Sequence, residues 1–248
     1  MKRIVVFLAI AGLTTMFAFG QRVENRSVSN FTGIDASGAF EITVAKGSAE
    51  ALTLEANDEV MQYVRSEVKN GVLRLYLENN VPKIVNNRTV KATVVMTDFG
   101  KVSLSGACKI IVNDLFTPKN FNGDFSGSSS MTINVNTGQL SIKSSGSSNL
   151  QMKANVSGDT KINVSGSSKA DLVGSAKNLT LDLSGASNFK AEDFIVGTAT
   201  IKSSGSCNVT INVTEVLKVN SSGASTVNYK GSPAITVNSS GSSKVRKI

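Results

Sequence analysis

The sequence contains no histidine and no tryptophan, and it has only two cysteines and three prolines among 248 residues. Without an imidazole, the chain cannot build a Ser-His-Asp triad, a Cys-His pair or a zinc site with a histidine ligand. Aromatic residues make up only 6% of the chain, and the repeats described below offer no set of rings on which nucleic-acid bases could stack. We therefore expect neither histidine-based catalysis nor a nucleic-acid partner.

Serine and glycine are what the sequence has in excess. From residue 101 onward there are 29 Ser, 14 Gly and 2 Pro in 148 residues. That share, about 30%, is one at which sequences without a period are usually disordered. A fixed repeat is therefore needed if this half of the chain is to build a core.

The first twenty residues have the features of an export signal. Lys2 and Arg3 give a basic start, an apolar run follows, and the small residues Ala18 and Gly20 stand where a signal peptidase requires them. The alternative is a membrane anchor, but about 16 apolar residues fall short of the roughly 20 that span a bilayer. We predict that residues 1–20 are a signal peptide, that no membrane span remains after cleavage, and that the protein is exported to the periplasm, the outer surface or the medium.

A motif of the form Ser-Gly-[Ser/Ala]-[Ser/Cys] recurs eight times in the second half, at intervals of 18 to 21 residues. Its glycines are Gly106, Gly127, Gly146, Gly166, Gly185, Gly205, Gly223 and Gly241. The residue four positions after the glycine is always apolar, the residue four before it is apolar in seven of eight copies, and the residue five before it is always polar. This alternation predicts strands with one buried face, joined by a corner that only glycine adopts without strain.

We interpret the whole pattern as an all-β fold, a right-handed parallel β-helix (a β-solenoid) with about 19 residues per rung. Residues 101–248 would form about eight rungs, because single units cannot bury their apolar faces alone and stacked units can. Residues 21–100 carry a net charge of −1 against +7 for residues 101–248, so we place a boundary near Gly100. The first segment would be a β-rich cap.

Three local signals suggest the contents of that N-terminal segment. Ser37-Gly38-Ala39 repeats the corner motif and predicts an outlying rung. Asn57 followed by Asp58 and Glu59 is typical of a helix start. Asn70-Gly71 between two alternating runs predicts a β-hairpin over residues 68–77.

The residue before each glycine is serine in all eight copies. We interpret this column as a ladder of small hydroxyls packed at an inner corner, bonded to one another and to the backbone. The alternative is an array of hydroxyls presented to a ligand or to an attached glycan. Cys108 and Cys207 share another column, two residues after the glycine and five rungs apart. Because roughly 24 Å would separate them, we predict free thiols rather than a disulfide.

The layout of the chain resembles a bacterial family common in the Bacteroidetes, the putative auto-transporter adhesin, head GIN domain. The likeness rests on the export signal, the Phe31-Thr32-Gly33-Ile34 opening, the predicted hairpin and the Ser-Gly rungs. It covers nearly all of residues 22–248. It implies an exported β-helical protein, and it carries the fold over to this chain better than the biochemical role.

We predict a non-enzymatic protein of the cell envelope or surface, a structural or adhesion-type module without cofactor or metal. One alternative is the binding of an anionic glycan or envelope polymer through a strip of lysines. The strip would consist of Lys101, Lys161 and Lys218 in one outward column and Lys143 and Lys202 in the next. Exposed rod ends would also permit self-association.

The second alternative is a polysaccharide lyase or hydrolase, since such enzymes can be β-helices. They need two or three carboxylates that converge on one face. Asp124 and Asp182 share a column, but three rungs, or about 14 Å, lie between them. Glu192 and Asp193 are adjacent in sequence and are typical of a solvated turn. We therefore rank the enzyme below the other two functions.

Overall fold

The structure is a computed structural model, and it describes residues 21–78, 82 and 88–248. The predicted signal peptide lies outside the described residues. The N-terminal elements are β1 Gln21–Arg26, β2 Gly33–Gly38, β3 Phe40–Lys46, β4 Ala51–Asn57, α1 Asp58–Met61, β5 Val64–Lys69, β6 Val72–Leu77 and β7 Val90–Met96. The repeat half contains β8 Lys101–Gly106, β9 Lys109–Phe116, β10 Asn120–Phe125, β11 Ser130–Thr137, β12 Gln139–Ser144, β13 Asn149–Val164, β14 Lys169–Gly185, β15 Asn188–Gly205, β16 Asn208–Ser221, β17 Thr226–Lys230, β18 Ala234–Ser239 and β19 Lys244–Lys247.

The repeat half is a parallel β-helix, as predicted. Each glycine corner joins a strand before it to a strand after it, for example β8 to β9. Strands before the corner pair with one another in parallel and build what we call the pre-corner face. Strands after the corner pair in the same way and build the post-corner face. In each of β13, β14, β15 and β16, the post-corner part of one rung continues without a break into the pre-corner part of the next rung. Each of these long strands therefore contributes to both faces.

All eight predicted corner glycines have a positive φ, between 69° and 92°, and they bound about seven complete turns of the helix. The predicted inward columns on either side of them are buried. On the last rung, where no other strand among the described residues covers β18, Val237 is exposed and Val245 is only partly buried. The column five before the glycine faces outward, as its polar residues require.

The predicted rung around Gly38 exists, and it lies within the stack rather than apart from it. Gly38 pairs directly with Gly106, so β2 and β3 form the rung beneath β8 and β9. On their other side β2 pairs with β6 and β3 with β7, again in parallel. The chain therefore builds the β2–β3 rung first, adds β6–β7 on one side of it, and then continues with β8–β9 on the other.

Antiparallel strands close the N-terminal end of the helix. The edge strand β5 pairs with β6, and on the other face β4 joins β7 to the edge strand β1. Asn70 and Gly71 have φ values of 51° and 73°, as the tight turn of a hairpin requires, which confirms the predicted hairpin. Asn57 caps α1 by accepting a hydrogen bond from the Glu59 amide at 3.0 Å. α1 has four residues, and no helix in the described part of the chain is long and apolar enough to cross a membrane.

The core is one continuous column of apolar side chains that fills the helix from the cap to the last rungs. Near its base the Phe99 ring packs edge-on against Phe116 and Phe121, with centroid distances of 5.7 Å and 5.5 Å. Such pairs add about 0.5–1.5 kcal/mol to the burial of the rings. Because β8 pairs with β2, the sheet crosses residue 100 without a break. The boundary near Gly100 stays a prediction.

Cys108 and Cys207 are buried free thiols, as predicted. Backbone hydrogen bonds between rungs place them five rung spacings apart, through Ser129, Ser148 and the equivalent residues above. Burial raises the pKa of the Cys108 thiol, and its Sγ lies 3.2 Å from the Ser105 carbonyl oxygen. This thiol therefore fills space in a column of small residues.

Candidate functional site

The glycine corner shapes the surface next to it. A Cβ atom at any of the eight predicted corners would lie within 2.8 Å of the carbonyl oxygen of the glycine one rung below. The amide that follows each glycine donates to that same oxygen, as Ser147 does to Gly127 at 2.8 Å. The corners therefore stack with no side chain between them.

The prediction that the serines before the glycines pack inside the corner is wrong. They are exposed or half-buried: Ser105, Ser126, Ser145, Ser165, Ser184, Ser204, Ser222 and Ser240. The inner ladder of small residues lies two positions after the glycine instead, where Cys108, Ser129, Ser148, Ser168, Ser187, Cys207 and Ser225 are all at most 3% exposed. The reason is strand alternation, since residues four and two before the glycine point inward and the residue just before it must point out.

A groove runs along the axis of the β-helix, and we call it the axial groove. One of its walls is formed by six of the outward serines, those from Ser145 to Ser240. The volume of the groove is about 1030 Å³. The opposite wall is formed by the residues three before each glycine, and we call them the charged column: Asp124, Lys143, Asn163, Asp182, Lys202, Asn220 and Asn238. The inward-pointing residues between the two walls, such as Val164 and Ser203, form its floor.

The charged column repeats the order Asp, Lys, Asn twice on successive rungs. Asp124 lies beside Lys143, and Asp182 lies beside Lys202, in the register of the parallel strands. At about 4.8 Å per rung, like charges recur roughly every 14 Å. No ion pair within 4 Å involves these four residues in the part of the chain that the structure covers. The column thus presents alternating charges that are not neutralised by salt bridges.

Two further details concern the groove walls. The Oδ1 atom of Asp182 is shielded from solvent and has no hydrogen-bond partner. The hydroxyls of Ser145 and Ser165 lie 3.5 Å and 3.4 Å from the carbonyl oxygens of the rung below. Those distances are well beyond the optimum of about 2.7–2.8 Å for O–H···O bonds, so the hydroxyls retain bonding capacity for a ligand.

All five lysines of the predicted strip are exposed on the pre-corner face. Lys143 and Lys202 line the axial groove. Lys101, Lys161 and Lys218 lie in the column two residues farther from the corner, beside it on the same face. Asp124 and Asp182 interrupt the basic strip. The binding of a polyanion to this strip stays a prediction.

The acidic residues do not converge. Asp124 and Asp182 are three rungs apart in the register, at about 14 Å, and Glu192 forms an ion pair with Lys230 at 3.1 Å. The described residues contain no group of three or more Cys, Asp or Glu side chains that could hold a metal ion. The axial groove was not predicted from the sequence, although its signal was present. When the repeats are aligned on their glycines, the residues three positions before them follow the order Asp, Lys, Asn.

Comparison with protein families gave one match that spans most of the chain. The family model described as putative auto-transporter adhesin, head GIN domain, matches residues 30–233. This range includes the cap except for β1, every predicted corner except Gly241, and most of the axial groove. A search of curated proteins found no significant match.

Several solved structures share the fold at low sequence identity. A putative adhesin from Parabacteroides distasonis has a TM-score of 0.84 at 19% identity, covering 93% of this chain and 98% of that one. A putative adhesin from Parabacteroides merdae has a TM-score of 0.80 at 16% identity, with 92% and 96% covered. A putative lipid binding protein from P. distasonis has a TM-score of 0.78 at 18% identity, with 92% and 96% covered. These neighbours show that the β-helix with its cap is a shared fold.

Proposed function

Because the chain belongs to the family described as putative auto-transporter adhesin, head GIN domain, we propose that it is an exported, non-enzymatic adhesion module. It would bind its target with the outside of a rigid β-helix. The observation that carries this proposal is the axial groove, a polar surface that follows the pre-corner face along the helix. Export is supported by the signal-like residues 1–20.

The spacing of carboxylates supports a binding role over hydrolysis. Glycosidases place their two carboxyl groups about 5–9.5 Å apart, whereas Asp124 and Asp182 are separated by about 14 Å along the groove. The rigid core supports the same role, because a scaffold that does not rearrange holds its surface groups at fixed distances and lowers the entropy lost on binding.

Protease treatment of intact cells tests the proposal. Cells that produce the full chain are treated with a protease that cannot enter them, and both the remaining protein and attachment to a surface are measured. We expect the protein to be cleaved and attachment to fall in parallel. Protection of the protein in intact cells, with cleavage only after the outer membrane is opened, would contradict a surface role and indicate a periplasmic one.

The lysine strip supports a second candidate function, the binding of an anionic envelope polymer. Its five lysines are exposed on one face, and a basic surface attracts polyanions at low ionic strength. Lys161→Glu combined with Lys218→Glu should then abolish retention of the protein on a heparin-type matrix at low salt. Lys153→Glu combined with Lys190→Glu changes the net charge equally on the post-corner face and should leave most retention in place. Equal losses for both pairs would show that net charge alone causes retention.

A further inference from the structure

We propose that the axial groove binds a single strand of a linear polysaccharide that carries both amino groups and carboxylates. This inference rests on the proposed adhesion function and names the class of target that the groove would recognise. It depends on three properties of the groove: its width, its charge order and its hydrogen-bonding groups.

The width of the groove fits one extended polymer chain. The groove runs from the rung of Asp124 to the rung of Asn238, six rung spacings or roughly 29 Å. Its two walls stand two residues apart on the same strands, roughly 6.6–6.8 Å from one to the other. That spacing suits one extended chain and is narrower than a helix with its side chains, which is about 10–12 Å across.

The charge order of the column favours a ligand with charges of both signs. A polyanion in the groove would pass Asp124 and Asp182, and a polycation would pass Lys143 and Lys202. Neighbouring charges in the column are about 4.8 Å apart, less than the Debye length of about 8 Å at physiological salt. Salt therefore does not screen these opposite charges from each other, and only a ligand in direct contact with the groove would respond to each of them. An amino group and a carboxylate on successive ligand residues would meet Asp and Lys of one pair, for example Asp182 and Lys202, whereas the next pair begins three rungs away.

The backbone of the groove favours a glycan over a peptide. Peptides commonly bind by adding a strand to a free sheet edge, but here the backbone amides already donate to the next rung, as Ser145 does to Phe125 and Ser165 to Ser144, both at 2.8 Å. An extended peptide also rises about 3.3–3.4 Å per residue, which does not match the rung spacing of about 4.8 Å. One residue of an extended pyranose chain is close to one rung in length.

The remaining wall groups suit sugar hydroxyls and charged substituents. The long contacts of Ser145 and Ser165 leave hydroxyls that can both donate and accept. The Asp182 carboxylate lines the groove as an acceptor for an amino group of the ligand, and Lys202 on the next rung is a donor for a carboxylate. No aromatic side chain lines the groove among the described residues, so binding would depend on charge and hydrogen bonds rather than on stacking.

Four probes test the proposal with the mature chain, each four residues long to match the four rungs from Asp182 to Asn238, which hold one Asp-Lys pair. Binding is measured by titration calorimetry at low and physiological salt. Partly de-N-acetylated hyaluronan carries both carboxylates and amines, hyaluronan carries carboxylates alone, chitosan carries amines alone, and an alternating Glu-Lys peptide supplies both charges on a polypeptide. We expect the de-N-acetylated hyaluronan to bind at least about tenfold more tightly than each of the other three. Equal or tighter binding of hyaluronan or of the peptide, or no binding of any probe, would overturn the proposal.

Variants then locate the site. Asp182→Asn and Lys202→Gln keep the size of each side chain and should each weaken binding of the de-N-acetylated probe about two- to fivefold, the range for partly exposed ion pairs. Together they should weaken it about tenfold. Lys153→Gln, exposed on the post-corner face, is the matched control and should change nothing. If the groove variants bind like the wild type, the groove is not the binding site. The adhesion proposal is tested separately, and it is contradicted only if cells treated with protease keep their attachment.

Discussion

At the residue scale, the corner glycines decide whether the rungs can stack. Their positive φ is a conformation that other residues adopt at a cost of about 1–2 kcal/mol, and the close approach of the carbonyl below leaves no space for a side chain. The motif spacing therefore predicted the corners reliably, because a single residue type meets both requirements. The outward direction of Ser145 and its equivalents followed from strand alternation counted from the inward residue four before the glycine, and it was missed because small residues occur on both sides of the corner.

Gly166→Ala tests the stacking requirement. The new methyl group would combine a positive φ with a clash against the Gly146 carbonyl oxygen, so we expect a loss of roughly 2–4 kcal/mol in the free energy of unfolding. Gly71→Ala is the control, because Gly71 also has a positive φ but no atom lies within 4 Å of the position that its methyl group would take; it should lose about 1 kcal/mol. Equal losses in urea denaturation would show that backbone strain alone, without the clash, limits the corners.

At the element scale, each strand is stabilised by the rung above it as well as the one below. The inward columns were predictable because their alternation repeats in register. The order of the first three rungs was not predictable, since β6 and β7 lack the Ser-Gly motif and their place beside β2 and β3 depends on pairing between distant segments. The axial groove was missed for a different reason: its two walls, three and one residues before each glycine, lie on the same strands, and the alternation that places both outward was not applied to them.

Val219 and Val237 provide a test of this neighbour effect. They occupy the same column on adjacent rungs, but Val219 is 1% exposed and Val237 on the last rung is 40% exposed. Val219→Ala should lower the free energy of unfolding by about 2 kcal/mol through lost burial and a cavity. Val237→Ala should lower it by about 0.5 kcal/mol or less. A comparable loss for both in chemical denaturation would mean that the last rung is covered in solution.

At the scale of the whole molecule, the cap and the repeats share one sheet and one core. Strands β2 and β8 pair across the predicted boundary near Gly100, and the parallel stacking continues from β6 to β18. The change in net charge at that point therefore concerns the surface and not the hydrogen-bonded framework. A continuous framework also keeps the groove charges in register over its full length.

Scanning calorimetry of residues 21–248 tests this continuity. We expect one heat-absorption peak whose calorimetric and van't Hoff enthalpies agree, because unfolding the cap would expose the β2–β3 rung and the strands stacked on it. Two separate peaks would show that residues 21–100 and 101–248 unfold independently. That result would support a domain boundary near Gly100.

Attachment of living cells tests most directly whether the protein acts through the axial groove. A strain that lacks the protein would be complemented with the wild type, with Asp182→Asn combined with Lys202→Gln, or with Lys153→Gln, and surface levels would be matched by antibody labelling. We predict that the wild type and Lys153→Gln restore attachment and that the groove variant restores clearly less. Equal attachment by all three complemented strains would contradict a role for the groove in adhesion.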